Sequence, residues 1–304
     1  MHSRAAVEAK QPLGLASASA LLPNATIAPS TIFLMEVLYG LHPVEEALKA
    51  GRRRFDQVLV ARERQDERLK RLVAQCQQSG IRIRSESREH LTEIAKTTAH
   101  QGVVAIVRPQ EFFTIEDLFA APAGSQDRRL VLALDGVEDP QNLGALLRVA
   151  DGAGVDGVVL TERRAAPLSA VAVKASAGAT EHLRIARVVN LVRALEDLKR
   201  QNLWIVGLDE RGTTHYDQFD FTGDLVVVLG REGAGLHDLV RRTCDHLLRI
   251  PMAGGVSSLN VSAAGAVVLY EAARQRRAAA AGIVLSSAKE NPRKPAAKQR
   301  GLGS

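Results

Sequence analysis

Four short runs do most to limit what this chain can fold into: LVLAL from Leu130, DGVVL from Asp156, LWIVGL from Leu203 and LVVVLG from Leu225. Each is almost uninterruptedly apolar, without the alternation of a strand that shows one face to water, so each reads as a strand buried on both faces. A strand of that kind needs helices on either side of a parallel sheet. Amphipathic segments, among them NLGALLRVADGAG and NLVRALEDLKRQ, stand between the runs. The expected fold class is therefore α/β, with a parallel sheet occupying residues 129–277.

A smaller alternating unit precedes it. HPVEEALKAG predicts a helix closed by Gly51, FDQVLVA a strand, DERLKRLVAQCQQSG a helix closed by Gly80, and IRIRS a short strand. A helix from Glu89 to Lys96 and the strand GVVAIV, stopped by Pro109, complete a compact α/β domain over 35–108. Residues 109–128 contain the turn-rich APAGSQDRR and predict a linker.

The ends differ from the middle. Residues 1–34 are rich in Ala and Ser, with Pro12 and Pro23 breaking the apolar part, and predict a flexible extension rather than a signal peptide. Met35, directly before EVLYGLHPVEEAL, is an alternative start. The net charge of +6 is located almost wholly at the other end: Arg274 to Ser304 hold eight Lys or Arg and one Glu, a local +7, leaving the rest close to neutral. Residues 278–304 accordingly predict a basic, disordered tail, either simply solvated or attracted to phosphates without sequence preference. No run of 18 apolar residues is present, so no membrane partner is expected. Cys76 and Cys244 stand far apart with no metal-binding spacing, which predicts a reducing, cytoplasmic setting and no metal.

In parallel sheets, ligands bind beyond the carboxyl ends of the strands. Three loops there carry more polarity than folding needs. In LDGVEDPQNLGALLRVADGAGV, Asn142 is placed to cap a helix that carries Arg148 two turns on; a plain cap and a surface cation are the structural alternative. In LVVVLGREGAGL, Gly230, Gly233 and Gly235 let backbone approach a ligand, and Glu232 sits among them as either a solvated acid or an orienting group. The spacing is neither a dinucleotide fingerprint nor a P-loop. In IPMAGGVSSLNVSAAGAVVLYEAARQR, a strand end, a glycine bend and a helix starting near Ser258 coincide. One of Ser257, Ser258 and Asn260 suffices for the cap, leaving two spare.

In that order the three stretches resemble the three motifs of the SpoU family of RNA ribose 2′-O-methyltransferases, within the SPOUT superfamily. YGLHPVEEAL and HQGVVAIVRP resemble the substrate-binding domain of its rRNA-modifying members, so the likeness extends over roughly 35–277. The resemblance implies a SPOUT domain with a deep C-terminal trefoil knot, a homodimer, and S-adenosylmethionine as methyl donor without a metal. By motif position it implies cofactor contacts at Gly230, Ile250 and Leu259, and a polar catalytic set of Asn142, Arg148, Glu232, Ser258 and Asn260. The activity it implies is 2′-O-methylation of a guanosine ribose in 23S rRNA, naked or within a large-subunit assembly intermediate. The same chemistry on tRNA, and a catalytically inactive RNA-binding protein of the same fold, are the alternatives. His100 and Gln101 match a stretch common in such relatives and receive no role.

Methyl transfer to a ribose hydroxyl is an in-line displacement, so hydroxyl, methyl carbon and sulfur must be aligned and a proton removed. Arg148 carries a guanidinium, which holds its proton too tightly to serve as a base. It reads instead as a clamp on phosphate or ribose that stabilises developing alkoxide, with substrate phosphate or water assisting deprotonation. In the smaller domain, Arg52, Arg53 and Arg54 after the first helix, and Arg82 and Arg84 along a strand, are candidate contacts to RNA phosphates or else ordinary solvated charges.

Overall fold

The computed structural model describes residues 35–283 apart from 65, 121–127 and 164, so the expectations for residues 1–34 and for most of the basic tail lie outside the described residues. A four-stranded sheet is built from β1 (Glu36–Tyr39), β2 (Phe55–Ala61), β3 (Arg82–Glu86) and β4 (Val103–Val107), in the order β1-β4-β2-β3. Its helices span Leu41–Ala50, Glu67–Gln78 and Arg88–Ala95. Asp66 caps the second by accepting from the amides of Arg68 and Leu69, and Gly51 ends the first in the left-handed conformation, φ 65°. The four residues of β1 are too few to show a period in the sequence, yet they pair antiparallel with β4 along their whole length.

The larger sheet holds β5 (Leu130–Leu134), β6 (Gly157–Thr161), β7 (Ile185–Val188), β8 (Trp204–Leu208), β9 (Thr214–His215), β10 (Leu225–Leu229) and β11 (His246–Arg249). The order is β7-β6-β5-β10-β8-β11-β9, and every pairing is parallel. The apolar runs are explained by what lies on each side. Leu130, Leu132 and Leu134 face one core, shared with Leu146, Leu147 and Leu269 of the helices Pro140–Gly152 and Val261–Ala280. Val131 and Ala133 face a second core with Leu195 and Leu198 of the helix Leu191–Arg200. A polar residue at any of these positions would be buried without a partner.

Two segments are more internal than their composition suggests. The predicted linker 109–128 is structured in its first half: Phe113 bridges to Ala186, Ile115–Ala120 is helical, and Leu118 is buried in the second core. Gly157 leaves room for it, since a Cβ there would stand 2.9 Å from Leu118 Cδ2. The basic character after Arg274 is also partly internal. Arg276 is buried, and its guanidinium donates to the carbonyls of Phe221, Gly223, Arg128 and Arg129, collecting backbone acceptors that the ends of nearby elements leave open.

Candidate active site

The chain runs outward from β5 through β6 to β7, then crosses to β8 and returns to place β10 beside β5. Since all strands are parallel, the loops after β5, β8, β10 and β11 emerge on one edge, around the reversal of strand order where α/β sheets bind ligands.

After β5, Asp139 rather than Asn142 caps the helix Pro140–Gly152: its carboxylate accepts from the amides of Gln141 (3.3 Å) and Asn142 (3.0 Å). Pro140 at the first helical position fixes the start one residue later than the cap. Asn142 therefore keeps its side chain free, and its Nδ2 donates to Glu232 Oε2 at 3.1 Å. After β10, the backbones of Arg231 and Gly235 exchange hydrogen bonds of 3.1 and 3.0 Å, closing a small loop with Glu232 at its exposed tip. The closure demands glycine at Gly230, where a Cβ would sit 2.4 Å from the carbonyl carbon and oxygen of Gly235. After β11, residues 251–259 form no regular element, and the helix begins at Val261, not near Ser258.

Asn260 is its cap, and more. Its Oδ1 accepts from the amides of Ser262 (2.9 Å) and Ala263 (3.4 Å), while its Nδ2 donates to Asn142 Oδ1 (3.0 Å) and Glu232 Oε1 (3.0 Å). Three residues that follow three different strands, spread over 118 positions of sequence, thus close a ring of hydrogen bonds. The carboxylate can only accept, so both amides must turn their nitrogen toward it, and the polarity of the ring is determined.

Beside the ring lies a cavity of about 220 Å³. Its walls include Leu208, Leu229, Gly230, Ile250, Met252 and Leu259, with Ser257 and Ser258 at the rim. All three sequence-predicted cofactor residues line it, and so does Ser258. Apolar walls, backbone polar groups and a glycine loop suit a flat heteroaromatic group with polar edges. Among the described residues no cluster of side chains could hold a metal ion.

Arg148 makes no hydrogen bond to the ring. It is exposed on the same helix six residues after Asn142, about 240° round the axis, without a hydrogen-bond partner among the described residues. The arginines of the smaller domain separate as well. Arg52, Arg54 and Arg82 are exposed, and Arg84 is half-buried beside Glu86 at 3.5 Å. Arg53 is corrected: its side chain is buried in an ion pair with Glu181, out of reach of any RNA. A run of three arginines in sequence cannot show which one turns inward.

Sequence reasoning also missed a latch. Asp135, buried at the end of β5, accepts from the His237 amide (2.7 Å) and bonds His237 Nδ1 (2.9 Å), tying the far end of the Glu232 loop to the first motif's strand. The signal was an acid directly after a wholly apolar run. Arg231, on the same loop, keeps its Nε buried without a hydrogen-bond partner among the described residues.

The SpoU rRNA Methylase family description matches residues 129–270, and the RNA 2′-O ribose methyltransferase substrate-binding description matches 37–113. The chain belongs to the SpoU rRNA methylase family, carrying that catalytic domain behind a substrate-binding one. Within the family it is similar to the 23S rRNA (guanosine-2′-O-)-methyltransferase RlmB of Photobacterium profundum, with 43% identity over 80% of this chain and 98% of the relative. RlmB of Escherichia coli K12 is 42% identical over 80% of this chain and its own whole length. Among solved structures, the SpoU methyltransferase AviRb from Streptomyces viridochromogenes in complex with AdoMet has a TM-score of 0.68 at 26% identity, covering 84% of this chain and 95% of that one. An AdoMet-bound rRNA methyltransferase from Sinorhizobium meliloti has a TM-score of 0.65 at 27% identity, covering 80% and 88%.

Proposed function

We infer that the chain is a 23S rRNA (guanosine-2′-O-)-methyltransferase that uses S-adenosylmethionine. The observation that carries this is the ring of Asn142, Glu232 and Asn260 closed beside a cavity whose walls include Gly230, Ile250 and Leu259. Bound there, S-adenosylmethionine supplies an electrophilic methyl group on a sulfonium.

The protein's share is placement and charge. Gly230, Ile250 and Leu259 hold the methyl donor largely through backbone groups and apolar contact, with the Gly230–Gly235 approach shaping the floor. The ring fixes Glu232 and Asn260 at the cavity edge, and Ser258, exposed on the rim, orients the ribose with them. Arg148 clamps phosphate or ribose and stabilises the alkoxide as the hydroxyl proton leaves to a substrate phosphate or to water. Its exposure, and a guanidinium without a partner among the described residues, agree with a partner that arrives with the RNA.

Dimerisation belongs to the same reading. Val256, Leu259 and Tyr270 are 67%, 37% and 49% exposed on the segment and helix beside the ring, an apolar set suited to a second copy of the chain. The family's trefoil knot belongs to the same reading. The enzyme would work in the cytoplasm; Cys76 and Cys244 are both free thiols.

Mapping ribose methylation in rRNA and tRNA from a strain lacking the gene tests the reading. One 2′-O-methylguanosine should vanish from 23S rRNA and return with the wild-type gene. Loss from tRNA alone, or from neither RNA, would contradict the assignment.

A further inference from the structure

The segment 176–181 of the catalytic domain is irregular and yet largely buried. Ser176, Thr180 and Glu181 have at most 2% exposure, Ala177 and Gly178 both have positive φ (51° and 93°), and a short 3₁₀ turn covers Ala179–Glu181. Buried loops with strained backbone are costly and persist where their surroundings determine them. On one side it packs on the helix Pro140–Gly152, and on the other it meets the substrate-binding domain.

Arg53 of that domain lies against it with every guanidinium N–H used. Its Nε reaches Glu181 Oε2 at 3.0 Å and Nη2 reaches Oε1 at 3.2 Å, while the other donors go to Glu36, the Arg108 carbonyl and Gln110 Oε1. Gln110 Nε2 donates to the Thr180 carbonyl at 2.8 Å, and Arg52 donates to the His182 carbonyl at 3.1 Å. Glu46 bonds His182 at 3.0 Å and packs so closely on Gly178 that a Cβ there would be 2.4 Å from its own. From the helix Ala170–Ala175, Lys174 donates to the Ala99 carbonyl at 2.6 Å over the Tyr39 ring, and Val173 is buried in the substrate-binding domain's core. A bidentate, fully satisfied pair fixes orientation more sharply than apolar contact, which tolerates sliding.

We propose that Glu181 is a positioning residue for the RNA: through Arg53 it locks the substrate-binding domain to the catalytic domain, so that RNA gripped by one is held at a set distance from the Asn142–Glu232–Asn260 ring of the other. This rests on the RNA methyltransferase reading above. The lock converts binding at a distance into placement of one ribose, an effect that belongs to turnover rather than to affinity.

The test uses the full-length protein with Glu181→Gln, and with Lys174→Met as a milder variant that leaves no buried charge unpaired. RNA binding to a transcribed large-subunit rRNA fragment, single-turnover methyl transfer at saturating RNA, S-adenosylmethionine affinity by calorimetry and small-angle scattering are measured on each. Expected for Glu181→Gln are RNA and methyl-donor affinities within about threefold of wild type, a single-turnover rate constant lowered tenfold or more, and a broadened scattering profile. Lys174→Met should shift rate and profile in the same direction, by less. Mere loss of folded protein would lower the amplitude and leave the rate constant unchanged, which would overturn the proposal for Glu181. Folded variants with wild-type rates and scattering would overturn it entirely. A wild-type protein that methylates no RNA would instead contradict the enzymatic reading, and the scattering comparison would still decide whether the seam holds the domains in one frame.

Discussion

Asn260 joins a helix cap to the hydrogen-bonded ring in a single side chain. Its oxygen caps the long C-terminal helix and its nitrogen binds both Asn142 and Glu232, so the two roles separate by substitution. Asn260→Ala removes both: about 1 kcal/mol of stability from the cap, some 2–4 °C in melting temperature, against a fall of roughly 10²–10³ in methyl transfer. Asn260→Asp keeps the capping oxygen but sets a second negative charge against Glu232. It should melt close to wild type above pH 6 and remain as inactive as the alanine variant, and an active Asn260→Asp would show that the ring does not matter. The two thiols give a residue-scale control on the fold. Burial pushes Cys76 up to about 11 and Cys244 up to about 12. At pH 8 about one Cys76 in a thousand would be thiolate, so iodoacetamide should label neither within an hour in buffer and both in denaturant.

Among the elements, the Glu232 loop shows what was legible in the sequence. Three glycines after an apolar strand suggested backbone free to approach a ligand; the close approach that Gly230 makes is against Gly235 of the same loop. Gly230→Ala forces that loop open, at about 1–3 kcal/mol for overpacking, and calorimetry should find S-adenosylmethionine affinity lowered at least tenfold. Unchanged affinity would separate the loop from the cofactor. The helix starts were less legible: Asp139 rather than Asn142 caps one, and Asn260 rather than Ser258 begins the next, because several polar residues within a few positions compete for one cap and only the tertiary partners decide. In the smaller domain, His100 is buried between the Gly102 amide and Thr92 Oγ1, and burial, aided by the charges of Arg88 and Lys174, lowers its pKa from the ordinary 6.5. A folded state that resists protonation loses stability as pH falls below the unfolded value. His246, lowered in the same way by burial, adds to the effect. The melting temperature should therefore drop from pH 7 to pH 5, and less steeply in His100→Gln; equal slopes would remove His100 from the cause.

At the scale of the whole molecule, alternation of apolar runs and amphipathic segments was enough to foretell a parallel sheet, because strands buried on both faces leave that mark in any local window. Strand order was not, since the return of β10 between β5 and β8 is decided by contacts far apart in sequence. The same holds for the seam between the domains. Arg53 looks like its neighbours Arg52 and Arg54 until Glu181, 128 residues away, folds against it, and the predicted linker turns out to hold a helix packed on the sheet. The motifs brought out Asn142, Glu232 and Asn260 because each follows the carboxyl end of a strand, where the fold gathers them whatever their distance along the chain. The most direct test of that gathered site is methyl transfer itself: purified protein, a transcribed large-subunit rRNA fragment and labelled S-adenosylmethionine, followed by digestion and mass spectrometry of the nucleosides. Wild-type protein should yield 2′-O-methylguanosine at one position, and Asn260→Ala less than about a hundredth as much in the same time. Label on a base, on a nucleoside other than guanosine, or in equal amount from both proteins would contradict the account.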